Sequence, residues 1–159
     1  DSISQVIESS DIIILAIKPQ VIESVLNELK GKKLKVISIV AGKTTAYIQG
    51  ILGSDSEVVR VMPNINAFVG AATSAYVPTE NASNELCNET VKIFNTIGSI
   101  VRLQEKQFSA FTAICGSAPA FTYMYIDALA KAAVKGGLPR DVAQNLAADM
   151  VKGSAKMVL

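Results

Sequence analysis

Histidine is absent from all 159 residues, and so is tryptophan. The first absence removes the side chain most used for acid–base catalysis near neutral pH, and the commonest metal ligand. Any chemistry must rest on a cofactor, on the substrate's own reactivity or on other side chains. No metal site is expected. Cysteine is scarce: Cys87 and Cys115 lie in periodic segments with no partner spacing. They read as two buried thiols in a reducing compartment, not as a disulfide framework or a zinc site. A charge excess is missing as well. Lys and Arg number 15 against 14 Asp and Glu, a net charge of +1, so no basic field points to nucleic acid. Long apolar runs are missing too. The longest aliphatic run, Ile12–Ile17, is far short of the roughly 20 residues of a membrane helix. Neither a membrane partner nor a secretory leader is expected, and the localisation expected is cytoplasmic. The glycosylation patterns at Asn81 and Asn88 then read as chance matches.

What is present is a globular composition, 50% hydrophobic and 18% charged, enough for a sizeable core. Ile12–Ile17 has no alternation and reads as a strand buried on both faces. Pro19 sits where the first turn of a helix tolerates proline, and Val21, Ile22, Val25, Leu26 and Leu29 come after it at helical spacing. Leu34–Val40 is a second strand. A helix capped by Thr44 or Thr45 and ended by Gly53 leads to a third strand, Glu57–Met62. Short strand–helix–strand links of this kind predict right-handed crossovers and a parallel sheet. A further strand (71–77), an amphipathic helix (81–95) and a short strand (99–103) complete an α/β layer. No strand is legible from Glu105 onward. Helices are expected over 106–114, 120–135 and from Leu138, so the domains are placed at 1–104 and 105–159. The helix 120–135 is apolar nearly all round and needs burial on all sides, by further chain or by a second subunit.

In an open parallel sheet, ligands bind beyond the carboxyl ends of the strands. Three strands end on Ile17-Lys18-Pro19, Val40-Ala41-Gly42 and Met62-Pro63-Asn64. Each has an ordinary explanation as a turn or link. Their recurrence at consecutive strand ends puts a lysine, a glycine turn and an asparagine along one crevice. A second candidate is Gly116-Ser117-Ala118-Pro119. A break between helices there exposes backbone amides and a hydroxyl at a helix N-terminus, which suits a carboxylate; the bland alternative is a helix joint capped by Ser117. Ser117 is not read as a nucleophile, for want of a histidine and of the Gly-x-Ser-x-Gly turn.

In order and spacing, Leu15–Gln20, Ser38–Gly42, Arg60–Asn64, Val69-Gly70, Gly116–Ala120 and Gly137–Arg140 together resemble pyrroline-5-carboxylate reductase. The resemblance implies a partial Rossmann-like parallel sheet followed by a partial all-helical domain that interlaces with a second subunit, as a homodimer or higher oligomer. It implies reduction of 1-pyrroline-5-carboxylate to L-proline with NADPH or NADH, the last step of proline biosynthesis. It places Ala16, Ile17, Lys18, Pro19, Ile39, Val40, Ala41 and Asn64 on the cofactor side, and Gly116 and Ser117 on the substrate side. The family's Gly-rich pyrophosphate turn and its late Thr-Ser-Pro-Gly-Gly-Thr motif are not in the sequence. Asp1 is not a methionine, so a piece of a longer protein is expected, inactive by itself. Cys115, Ala118 and Phe121 stand where the family usually has serine, glycine and tyrosine. Two other readings stay open. One is another Rossmann-plus-helical dehydrogenase, such as a hydroxyacid dehydrogenase with a lysine acid/base, although Lys131 and Lys135 read as surface residues. The other is a non-catalytic dimerisation module built on the 120–135 helix.

Overall fold

The computed structural model describes residues 2–159. The chain divides into two compact units, Asp1–Gly116 and Ser117–Leu159.

The first unit is built on strands β1 (Ile13–Leu15), β2 (Lys35–Ser38), β3 (Glu57–Met62), β4 (Ala72–Pro78) and β5 (Gly98–Arg102), paired in that order. β1, β2 and β3 are parallel, with Leu15 opposite Ser38 and Ser38 opposite Arg60. Their crossovers carry α2 (Ile22–Leu29) and α3 (Thr45–Leu52), after the short N-terminal helix α1 (Ile3–Ser9). Ile22, Leu26 and Leu29 of α2, with Ile48 and Leu52 of α3, close over Ile13, Leu15, Val36 and Val58 on one face. On the other face α4 (Asn84–Asn95) sets Leu86 and Phe94 against Ile37, Val59 and Val61. β3 is therefore buried on both faces, which explains its unalternating Val-Val-Arg-Val run.

Three expectations need correction. The sheet is mixed: β4 runs antiparallel to β3, with Met62 opposite Ala75, and β5 runs parallel to β4. The link between β3 and β4 holds only a 3-10 turn, Ile65–Val69, too short for the crossover a parallel neighbour requires. β1 is shorter than the apolar run and is buried on one face only. Ile13 and Leu15 are buried, while Ile14 is 46% exposed, because α4 does not reach over this edge strand. Pro19 lies in a turn closed by Val21 N–H donating to the Lys18 carbonyl, and the helix begins at Ile22. The compact unit that holds the sheet extends to Gly116. Phe108 and Phe111, on the short helix α5 (Phe108–Phe111), pack with Ala75, Met62, Val77, Leu103 and Cys115. These aromatic contacts bind the start of the helical sequence to the sheet.

One glycine is dictated by close approach. Gly98 opens β5 at φ +150°, and a Cβ there would stand 2.1 Å from the Ala72 carbonyl oxygen. That is a backbone collision in a conformation that side chains avoid.

The second unit is a helical hairpin, α6 (Ala118–Lys135) and α7 (Arg140–Val158). Small residues set the contact: Ala130, Ala143 and Ala147, with Ile126, Leu129 and Ala133 around them. Asp127 pairs with Lys131 at 2.6 Å and with Arg140 at 2.7 Å. Those hydrogen bonds, Lys131's first, hold its carboxyl below the usual range. α7 begins at Arg140, with Pro139 as its cap and Asp141 in its first turn. One partner helix covers one stripe, so of α6 only Ala130 is buried; Phe121 and Met124 are each 68% exposed. Among the described residues no helix is long and apolar enough to cross a membrane.

Glu57 accepts the Ser83 N–H at 2.7 Å at the entrance to α4. Burial would raise its pKa, but the Ser83 hydrogen bonds, then Lys35 and Lys33, outweigh burial and hold it below 4.5. A folded pKa below the unfolded one stabilises the fold above the unfolded pKa, and this is lost as pH falls through the folded value. Glu57→Gln is expected to flatten the acid limb of the stability curve, read as urea midpoints between about pH 3 and pH 7.

Candidate functional site

Because β1, β2 and β3 are parallel and in register, their carboxyl ends share one edge of the sheet. After β1 the chain exposes Ala16 and Lys18 and half-buries Ile17 and Pro19. Lys18 joins no ion pair among the described residues. After β2, Ile39 N–H still donates to the Leu15 carbonyl at 3.1 Å. Val40 is buried, and its N–H donates to Ser38 Oγ at 3.3 Å. Ala41 and Gly42 then emerge into solvent, Gly42 at φ +72° with open space where a side chain would stand. The two adjacent strand ends thus present small residues, an approachable backbone and the lysines Lys18 and Lys43. Such an edge fits a flat, anionic ligand laid across the strands. Val40 can offer such a ligand its backbone but not its side chain.

Asn64 terminates β3 beside them, and both ends of its carboxamide are engaged within the protein. Oδ1 accepts the Thr73 N–H at 3.2 Å, and Nδ2 donates to the Cys115 carbonyl at 3.0 Å. Cys115 lies in the stretch that leads to Pro119, which has no N–H to donate within the helix.

Around it the chain does not break as expected. α5 is followed in sequence by a π-helical stretch, Thr112–Ser117, and then by α6, with no non-helical residue between them. The widened π turn takes up the proline, so no free helix N-terminus opens at Gly116-Ser117. Gly116 is tightly placed: a Cβ would lie 3.2 Å from Thr112 Cγ2 and 3.6 Å from Met62 Cε. Ser117 is exposed, opens the second unit and makes no capping bond.

Three residues of this edge are not legible as site residues in the sequence. Arg60, 8% exposed, pairs through Nη1 with Glu105 Oε1, and its guanidinium lies 4.4 Å from the Phe108 ring centroid. Glu105 Oε2 also accepts the Thr45 N–H at 3.2 Å and the Thr45 hydroxyl at 2.9 Å. An arginine inside an apolar strand signals a buried partner; nothing local identifies that partner as Glu105. The two thiols are not poised for chemistry, since burial pushes both Cys87 and Cys115 above the ordinary thiol range.

Fold and edge define a class: a Rossmann-like dinucleotide-binding layer with a helical extension. Two family models match parts of the chain. Residues 2–42 match "NADP oxidoreductase coenzyme F420-dependent", and residues 105–159 match "Pyrroline-5-carboxylate reductase dimerisation". Over nearly its whole length the chain is related to the pyrroline-5-carboxylate reductases. It is 43% identical to the enzyme of Methanosarcina acetivorans over 97% of the chain, and 40% identical to that of Aquifex aeolicus over 95%. It spans 58% and 57% of their respective lengths, less than two thirds of each. Among solved structures it resembles Plasmodium falciparum pyrroline carboxylate reductase with NADP bound, at TM-score 0.91 and 35% identity over 99% of this chain and 61% of that one. It also resembles the Streptococcus pyogenes enzyme, at TM-score 0.87 and 37% identity over 96% and 59%. A prephenate dehydrogenase shares the fold at 14% identity and TM-score 0.58. The relatives at 40–43% identity are named pyrroline-5-carboxylate reductases, which does not favour the hydroxyacid-dehydrogenase alternative. Lys131 gives it no support, being tied to Asp127 on the helix surface.

Replacing Asn64 by Ala removes the partner of the half-buried Cys115 carbonyl, while the exposed Thr73 N–H can turn to water. A loss of about 1 kcal/mol is expected in thermal or urea unfolding.

Proposed function

We propose that the protein of which this chain is part reduces 1-pyrroline-5-carboxylate to L-proline at the expense of NADPH or NADH, as an amino-acid biosynthetic enzyme of the cytoplasm. The observation that carries this reading is the coincidence of the strand-end edge with relatedness to this family along nearly the whole chain. A reduced nicotinamide dinucleotide, when bound, supplies the hydride. The residues that would hold it are Ala16–Pro19 on one strand end and Ile39–Ala41 on the next, with Asn64 beside them at the nicotinamide end.

The chemistry asks little of the side chains. A protonated cyclic imine is already a good hydride acceptor: the hydride goes to the imine carbon, the C=N π pair passes to nitrogen, and the ring amine results. The protein has to orient the ring, favour the iminium and exclude competing water. A sequence without histidine suits such a reaction. Lys18 would meet the negative charge of the cofactor's ribose-phosphate portion, and Gly116 and Ser117 would face the substrate side. The exposed aromatic and aliphatic surface of α6, with Phe121, Met124 and Tyr125, would be covered in a homodimer. This would reconcile a helix apolar nearly all round with the single stripe buried in one chain.

Two measurements test the reading. The full-length protein is expected to oxidise NADPH or NADH only when 1-pyrroline-5-carboxylate is supplied; absence of turnover with both cofactors would overturn it. In solution it is expected to have at least twice the protomer mass by light scattering. A monomer at high concentration would remove the dimer.

A further inference from the structure

The loop from β2 to α3, residues 39–44, brings Ala41, Gly42 and Thr44 into solvent at the edge. Its tethers are therefore of interest. At its start, Val40 N–H is held by Ser38 Oγ. At its far end, Thr44 caps α3 by accepting the Tyr47 N–H at 3.1 Å. These tethers are local. Two more are long-range: Ile39 N–H donates to the Leu15 carbonyl, and the Glu105 carboxylate takes both the N–H and the hydroxyl of Thr45, sixty residues away in sequence. Glu105 is itself fixed by Arg60 of β3, which is buried and lies against Phe108. The chain Phe108–Arg60–Glu105–Thr45 thus ties the end of the loop to the middle of the sheet. Charge-assisted bonds of this sort are shorter and more directional than neutral ones. Arg60 has a planar fork and cannot shed its charge, so it holds the carboxylate in one orientation.

We propose that Glu105 is a positioning residue for dinucleotide binding. It fixes the first turn of α3, and with it the Ile39–Gly42 backbone, in the geometry that the ligand meets, without touching the ligand itself. The proposal rests on the reductase reading and extends it to a residue outside the strand ends. Its signature is selective. A residue that merely stabilises the fold would weaken the binding of both substrates, or of neither. A residue that positions this loop weakens dinucleotide binding and spares the imine.

The experiment uses the full-length protein and titrates NADPH and NADH directly by fluorescence, alongside KM for each substrate and the melting temperature. Glu105→Ala is expected to raise the dinucleotide Kd about tenfold, the scale of one lost charged hydrogen bond. KM for the imine should stay within about twofold of the unaltered protein's, the margin that separates positioning from a general loss of structure. Thr45→Val, which deletes only the hydroxyl bond, should raise Kd about threefold. Glu105→Gln keeps an acceptor for Thr45 and should fall between the unaltered protein and Glu105→Ala. Should Glu105→Ala fail to fold, Thr45→Val decides. An unchanged Kd in Thr45→Val, or parallel rises in both KM values, would overturn the proposal. An unaltered protein that binds neither dinucleotide would instead overturn the functional reading, and the proposal with it.

Discussion

The parallel pairing of β1, β2 and β3 is the constraint on which the candidate site depends. A parallel ladder requires each strand to re-enter from the same end, so each must leave from the same end as well. Leu15, Ser38 and Arg60 are held side by side by that ladder. The residues next after each strand are then delivered to one edge regardless of their chemistry. The lysine, the glycine turn and the asparagine are neighbours for this reason, although they are spread over 18–64 in the sequence. The reversal at β4 serves the same edge. Because the short 63–71 link turns the chain back, β4 begins where β3 ends, and Thr73 comes within reach of Asn64.

A second principle is that buried polar groups must be matched. The Cys115 carbonyl takes a donor from Asn64. Arg60 lies in an apolar sheet and takes the Glu105 carboxylate, which has capacity left for Thr45. Both solutions join the 105–116 segment to the sheet. Hence this segment, helical in sequence and within the stretch matched by the dimerisation model, packs as part of the sheet unit.

The hairpin α6–α7 poses the opposite problem, a surplus of apolar surface. Alanines at 130, 143 and 147 bring the two helices close, yet they cover only one stripe of α6. Phe121 and Met124 remain in solvent. Exposed apolar patches of this kind mark association surfaces.

Much of this was legible in the order of residues. Apolar periodicity located the strands and most of the helices, because period and burial are local properties of side chains. The strand-end residues were legible too, since parallel strands have only one place to put their ends. Other features were decided by tertiary structure. The direction of β4 depends on the length available for a crossover, and the exposure of Ile14 on which helix reaches the edge strand. The absence of a helix break at Gly116-Ser117 depends on a π turn that absorbs Pro119. The Arg60–Glu105–Thr45 connection was visible only as an arginine in an apolar strand. Its carboxylate lies 45 residues from Arg60 and 60 from Thr45, and no local pattern encodes a partner at that separation. The sequence determined which groups would need partners; only packing in three dimensions decided which partners they found.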